Sequence, residues 1–508
     1  MSDEDASAGL SVAHRILILI AVVLSSTLYS TTLLIASTLL PQMQGALAAT
    51  PDEIAWAMTF NILATAVVTP MTGWLVGSFG RRNVMVGSIL CFSIATYFCG
   101  DAESLQALVF WRIVQGGAGA PVVPLSNAIV LDSFPRRQAG LVSSIFGMAV
   151  VIGPVIGPTL GGYLAEAYSW RWAFYMLLPA GFVSLASVWL TLPRDRPEAR
   201  VRLDWIGFLT LAAAMSCVQL VLSRGQRLDW FESGEIILET IGAAAAFYLF
   251  LAHSLTAQRP FLNLRLLLDR NYAIGLVLVT VYGMLNFTPV VLLPPLLQQH
   301  AGYPDNIIGE ILGMRGIGAT MGFFLAMFAG RLEPRIGMTI GFSIMAISGL
   351  WLMSLDLDVN FSILAANCVL HGMAVGIVWV PLTVTAFATL ETRNMPEGMA
   401  LFHLLRNIGS SFFISISVAE IIRSTGENYS RMTEMVSPYN KTLSLPWVMG
   451  GWAVDSVPGL AKLANEINRQ AAMIGYVNAF GLYTATSAAA ILVVMFAKKR
   501  QRVVAAAE

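Results

Sequence analysis

Runs of about 20 predominantly apolar residues, the length a helix needs to cross a roughly 30 Å hydrocarbon layer, recur along almost the whole chain. Fourteen such spans are predicted, at 16–40, 54–76, 84–100, 105–131, 141–165, 172–192, 204–223, 236–256, 272–296, 307–330, 338–355, 361–388, 398–422 and 474–496. Polar and charged residues collect between them, and every interior gap but one is short. The exception, 423–473, is polar enough to be solvated, yet it holds Trp447, Trp452 and a helix-like stretch, GLAKLANEINRQAAMIGYV. That loop is expected to fold against something.

Composition agrees with the pattern. Of 508 residues 56% are hydrophobic and 12% charged, against about 25% charged in soluble proteins, and the mean hydropathy is +0.70. The chain reads as an all-α integral membrane protein. If the N-terminus is cytoplasmic, 19 Lys and Arg fall in cytoplasmic loops and 8 on the other side, which by the positive-inside rule places both termini inside. The zero net charge and the lack of a basic, aromatic-interleaved patch give no reason to expect nucleic acid as a partner. Cys91, Cys99, Cys217 and Cys368 all fall inside predicted spans and read as small apolar packers. The acidic start MSDEDASAGLSVAHR lacks the basic n-region of a cleaved signal, so the first helix is expected to stay as a span. No phosphate-cradling loop, metal-ligand cluster or nucleophile elbow is present. No cofactor is therefore expected, and energy must come from an ion gradient or the solute's own.

Internal repetition is the next signal, because transporters are often built from repeated halves. Spans 2 and 10 both end in a Gly-rich turn with arginines, GWLVGSFGRR at 73–82 and GRLEPRIG at 330–337. Spans 4 and 12 both carry a glycine-rich middle followed by Val-Pro-Leu, QGGAGAPVVPL at 115–125 and HGMAVGIVWVPL at 371–382. The interval is eight spans in both pairs, which gives six spans, two inserted spans and six spans. The corresponding boundaries are 1–202, 203–258 and 259–508. In span 5, GPVIGPTLGG places Gly153, Gly157 and Gly161 at i, i+4 and i+8, one helix face without side chains that admits a close neighbour. Pro154 and Pro158 each remove a backbone hydrogen bond, so the helix must be surrounded by protein that can serve the freed carbonyls. On the pattern alone this is a packing helix or a functional one.

These residues resemble a known family. IGPVIGPTLGG, with Gly153, Pro154, Gly157, Pro158, Gly161 and Gly162, resembles the antiporter motif of drug:proton antiporters in the major facilitator superfamily. WRIVQGGAGA at 111–120 resembles that superfamily's fourth-span motif through Arg112, Gln115 and Gly116, and GWLVGSFGRR its loop motif through Gly73, Gly80, Arg81 and Arg82. SWRWAFYMLLPAG, LDWIG, PFLNLRLLLDRNY and FHLLRNIGSS are similar to the fourteen-span EmrB/QacA branch, so the likeness spans essentially the whole chain. It implies the major facilitator fold, two six-helix bundles rocking around a central cavity with two inserted helices between them. It also implies that the span 5 motif seals the contact between the halves. Family members from double-membraned bacteria work with a periplasmic adaptor protein and an outer-membrane channel, and the final loop 423–473 resembles that subgroup. Leu460, Leu463, Ile467 and Ala471 would share one helix face there, packing on the transporter itself or on an adaptor. The resemblance implies a bacterial cytoplasmic (inner) membrane location. Two positions depart from the pattern: Tyr29 stands where the first span usually has an acidic residue, and Gly77 where the loop motif has one.

Three arginines are predicted deep in the bilayer, Arg112 about 10 Å, Arg315 about 12 Å and Arg406 about 13 Å from their span ends at 1.5 Å per residue. Intramembrane arginines face a cavity or a partner, or bond carbonyls at a helix break. Acidic residues are few and none is deep: Asp132, Glu239, Glu310 and Glu420 lie near span ends. His371, in the repeat position of Gln115, titrates near neutrality and is a coupling candidate or a satisfied core histidine; His403 is weaker. If spans 1, 4, 9 and 12 line the cavity as the family implies, then Tyr29, Thr31, Asn127, Tyr282, Asn286 and Trp379 are offered to it. The expected activity is secondary efflux of amphipathic drugs or toxic small molecules, with proton antiport implied by the family resemblance. An importer or facilitator of an organic solute, an anionic one included, on the same fold is the alternative. The expected partners are the substrate and the lipid bilayer, with the adaptor and channel as a further expectation.

Overall fold

The computed structural model describes residues 11–496 except 135–138, 194–202, 259, 329–332, 391–394 and nine positions between 438 and 455, Trp447 among them. All fourteen predicted spans are helical. Span 1 is α1 (Val12–Ala46), and span 2 is α2 (Pro51–Val68) and α3 (Thr72–Phe79). Span 3 is α4 (Arg81–Gly100), span 4 is α5 (Leu105–Gly119) and α6 (Val122–Ser133), and span 5 is α7 (Ala139–Ala167). Span 6 is α8 (Trp170–Tyr175) and α9 (Leu177–Thr191). The inserted pair is α10 (Trp205–Arg224) and α11 (Gly234–Thr256). The second half is α12 (Arg270–Pro295), α13 (Asp305–Phe328), α14 (Pro334–Met353), α15 (Phe361–Phe387), α16 (Met395–Thr433) and α17 (Val457–Met495).

Proline chemistry explains where spans break. Pro70 cannot extend the i→i−4 ladder, and the chain passes through a 3-10 turn, Thr69–Met71. Pro121 stands at the N-cap of α6, where its missing N–H costs nothing. By contrast α7 stays helical through Pro154 and Pro158; the Pro154 side chain lies outside the described residues. Gly80 joins α3 to α4 at φ +80°, a backbone conformation that glycine adopts without strain.

The last loop is shorter than its sequence suggests. α16 and α17 each run 39 residues, about 58 Å at 1.5 Å per residue, so roughly half of each stands clear of a 30 Å hydrocarbon layer. The predicted loop 423–473 is therefore largely helix, and among the described residues its non-helical positions fall only between 434 and 456. The helix-like stretch at 459–477 is the protruding half of α17, and it packs on its own bundle: Leu463 and Ala471 are buried and Arg469 Nε donates to His300 O at 2.7 Å. Leu460 lies outside that face, 42% exposed.

The first half packs α1 on α7 and α9, and α2 on α5; the second packs α13 on α15, α12 on α16, and α17 on α14 and α16. The halves meet along α7 and α13, α2 and α16, and α1 and α12. One apolar core joins α1, α4 and α7 with α12 and α13, and the other joins α12 with α14, α15, α16 and α10. All four cysteines are free, two of them buried.

Candidate functional site between the two halves

Each half holds a buried arginine on carbonyl and amide partners. Arg112, fully buried, donates from Nε to Ala57 O at 2.8 Å, from Nη1 to Gln115 Oε1 at 2.6 Å, and toward Thr32 O at 3.4 Å. Gln115 passes the network on to Thr96 Oγ1 at 2.7 Å, and Asn61 Nδ2 donates to Arg112 O at 2.8 Å. A single side chain on α5 thus ties α1 to α2. Arg315 does the same in the second half: Nη2 donates to Asn286 O at 3.0 Å and to Asn286 Oδ1, and Nε donates to His371 Nδ1 at 3.3 Å. His371 Nε2 then donates to Leu285 O at 3.2 Å. This pattern uses His371 Nδ1 as an acceptor, so a proton there would set an imidazolium against the guanidinium. In both clusters the arginine is bonded to a backbone carbonyl, with Gln115, His371 and Asn286 as side-chain partners.

Arg406 differs. It is only half-buried, its Nε and Nη2 reach its neighbour Asn407 Oδ1 at 3.2 and 3.0 Å, and its Cζ lies 5.6 Å over the Trp379 ring. The Tyr282 and Trp379 rings, of spans 9 and 12, lie 5.3 Å apart, and His403 of span 13 lies 6.2 Å from Trp379. Arg406 is also close enough to sense Tyr282 and, across the interface, Tyr29. None of the three arginines is paired with a carboxylate among the described residues. Tyr29 itself points into the first half, its hydroxyl 2.8 Å from Thr65 Oγ1 and its ring against Phe92. Thr31 bonds its own helix at Thr27 O and lines the α1–α7 contact.

The glycines of α7 divide their work. A Cβ at Gly153 would come 2.6 Å from Thr27 O and one at Gly157 2.5 Å from Thr31 O, both on α1, and Gly161 faces Ile35 of the same helix. The strip predicted from the i, i+4, i+8 spacing is real, but its partner belongs to the same half. The contact between halves is made by the adjoining face: a Cβ at Gly162 would come 2.5 Å from Asp305 O, and one at Gly309 2.6 Å from Pro158 O. Thr159 Oγ1 donates to Gly309 O at 3.2 Å. Asp305, 1% exposed, completes this seam: Gln42 of α1 and Gln298, just after α12, each donate an amide N–H to its carboxylate. The sequence reading passed over Asp305, Gln42 and Gln298. The seam lies at the C-terminal ends of α1 and α7 and the N-terminal end of α13, on the side of the bundle opposite the two termini.

On the side of the termini the loop motif is assembled. Arg81 Nη1 pairs with Asp132 Oδ2 at 2.5 Å, and Arg82 Nη2 donates to Trp189 O at 2.7 Å with its Cζ 4.5 Å over that ring. Asp132 thus serves as the acidic partner although Gly77 occupies the loop's own acidic position. Gly73 has open space around it. Glu310 is exposed and Glu239 pairs with Arg224 at 3.0 Å. No group of three or more His, Cys, Asp or Glu that could hold a metal occurs among the described residues.

Comparison with known proteins places this geometry. The chain is 28% identical to the multidrug export protein EmrB of Escherichia coli strain K12 over 471 residues, 90% of this chain and 92% of that one. It is 28% identical over 414 residues to the fatty acid resistance protein FarB of Neisseria gonorrhoeae, 80% of this chain and 81% of that one. Among solved structures, a bacterial homologue of the human lysosomal transporter Spinster, inward-facing and unoccupied, matches with a TM-score of 0.62 at 15% identity, covering 96% of this chain and 98% of that one. The inward-open xylose transporter XylE of E. coli gives 0.61 at 13%, with the same coverage. The family model of the Major Facilitator Superfamily matches residues 18–414. The chain belongs to the Major Facilitator Superfamily, and is a transporter of the drug:proton antiporter type rather than an enzyme.

Proposed function

We propose that this protein is a secondary efflux transporter that exports amphipathic small molecules by proton antiport and alternating access. The observation that carries the reading is the seam in which Gly162, Gly309, Pro158 and Asp305 close α7 on α13 at one end of the bundle. Alternating access requires this seam to part in a second state. Arg406, half-buried at the interface beside Trp379 and Tyr282, offers a cation and an aromatic wall to a ligand with a polar head and an apolar body. The names of two relatives, a multidrug export protein and a fatty acid resistance protein, support that ligand class. The proton gradient of a bacterial cytoplasmic (inner) membrane supplies the energy. Both termini lie in the cytoplasm, so the seam faces outward. The protruding parts of α16 and α17 with segment 434–456 then face the periplasm, where an adaptor protein leading to an outer-membrane channel would dock.

The test is export of cationic, neutral and anionic amphiphiles from cells with and without the protein, before and after the proton gradient is collapsed. Gradient-dependent export, with anionic compounds selectively weakened by Arg406→Gln, is the expected result. Tyr29 in the usual acidic position favours the importer reading, and accumulation in place of export would establish it.

A further inference from the structure

The inserted helices α10 and α11 have no counterpart in either half, and neither the arginine clusters nor the seam between α7 and α13 uses them. Yet α10 carries a fully buried glutamine, Gln219. Its Nε2 donates to Ser415 Oγ of α16 at 2.7 Å and to Ser223 Oγ at 2.9 Å. Its Oε1 lies 2.8 Å from Ser411 Oγ, which is also 3.0 Å from Thr59 O of α2; the single serine hydrogen serves one acceptor at a time. A polar node therefore sits where α10, α2 and α16 meet, and α2 with α16 is one of the lines along which the halves touch.

The two ends of the inserted pair are held differently. At the end nearer the termini, the Asp204 carboxylate accepts from Gly207 N at 3.0 Å and Phe261 N at 2.9 Å and stands 2.7 Å from His253 Nε2, which fixes α10 to α11 and to the segment leading into α12. At the opposite end the pair reaches the first half: Arg227, just after α10, pairs with Glu53 of α2, with its Cζ 5.8 Å from the Trp56 ring. The Arg227 and Glu53 side chains are 36% and 23% exposed, whereas Gln219 and Ser411 are 0% and Ser415 5% exposed.

Energetics decides which contact yields when α2 and α16 part. Separating Gln219 from Ser415 and Ser411 would strand buried amide and hydroxyl groups at membrane depth, where unpaired polar groups are costly. Separating Arg227 from Glu53 releases two groups that water already reaches, and exposed ion pairs are weak. We propose that the inserted pair is a strap that rides with the second half through Gln219 and Asp204, and latches onto the first half through Arg227 and Glu53 when the seam side is closed. This rests on the alternating-access reading above. It assigns the inserted helices a function of their own: they set how readily the transporter opens on the side of segment 434–456.

The test is the rate at which an impermeant maleimide, added on that side, labels Thr159→Cys in full-length protein whose four native cysteines are alanine. Thr159 lies in the α7–α13 seam and not in the strap. Arg227→Glu sets like charges against each other, and Glu53→Gln removes the pair without repulsion. Both are expected to speed labelling about two- to fivefold, the scale of a partly exposed ion pair. The exchange Glu53→Arg with Arg227→Glu re-forms the pair in reverse and is expected to restore the parent rate. Unchanged labelling in Glu53→Gln, or no recovery in the exchange, would overturn the strap. The alternating-access reading is judged separately, in the parent protein, by whether transported amphiphile changes the labelling rate at all.

Discussion

Gly162→Ala adds one methyl group at a close approach between the halves. The new Cβ would stand 2.5 Å from Asp305 O, whereas carbon and oxygen approach ordinarily to about 3.3 Å, so α7 and α13 must separate by about 0.8 Å. Overpacking of this kind costs about 1–3 kcal/mol. The obstacle is a backbone atom of the opposite half and exists only while the seam is closed, so the cost falls on that state alone. The closed-to-open ratio should fall roughly 5- to 150-fold. Spin labels on Tyr163→Cys of α7 and Glu310→Cys of α13, both exposed, would report the separation by double electron–electron resonance. The expected record is a shift of population from the short distance to a longer one, with loss of concentrative transport. Two controls separate seam from packing. Gly147→Ala meets nothing within 4 Å and should change neither readout. Gly157→Ala would come 2.5 Å from Thr31 O within its own half, so it should lower thermal stability without moving the labels. An unchanged distance distribution in Gly162→Ala would refute the assignment of this glycine to the seam.

Further outcomes follow from the same contacts. Arg112→Lys keeps the charge but cannot hold Ala57 O, Gln115 and Thr32 O together; it should lose about 1.5–3 kcal/mol of stability, the scale of a hydrogen bond to a charged group, and most efflux, read by detergent melting and transport. Asp305→Asn cannot titrate and leaves one acceptor oxygen for the two donors Gln42 and Gln298, so one glutamine amide must turn over to accept from the new NH2; the dependence of transport on external pH should flatten while expression is unchanged. At Asp204 burial opposes the charge, but the N–H of Gly207, the His253 imidazole and the N–H of Phe261 outweigh it and hold the carboxyl below its usual range. Its contribution is therefore present above about pH 4, the ordinary value, and is lost as pH falls through the lower folded value. Asp204→Asn keeps a good N-cap, since asparagine caps about as well as aspartate, and should abolish that acid-side loss in melting curves.

The spans were legible because lipid forces every crossing segment to be long, apolar and helical, a signal that survives in any register. The glycine face of α7 was legible for the same local reason, its spacing. Its partner was not, because Gly157 meeting α1 and Gly162 meeting α13 differ by about one and a half turns of the same helix. Asp305 was missed since GYPDN reads as a solvated turn, and only Gln42, more than 250 residues away in sequence, with Gln298 turns it into a buried group. Gln219 carried a usable signal, an amide inside an otherwise apolar span with Ser223 one turn on. The protruding half of α17 was legible as a helix-like stretch, but the extension of α16 was hidden, because a polar helix beyond the membrane looks like a loop to any reading tuned to 20 apolar residues.

The central claim is that proton movement drives export through alternation at the seam. Everted membrane vesicles containing this protein, with an acid lumen, should accumulate an amphipathic substrate, and adding the substrate should consume part of the pH gradient as seen by a pH-sensitive dye. Vesicles carrying Gly162→Ala should do neither. Accumulation that persists after the gradient is collapsed, or substrate movement that leaves the gradient untouched, would contradict the account.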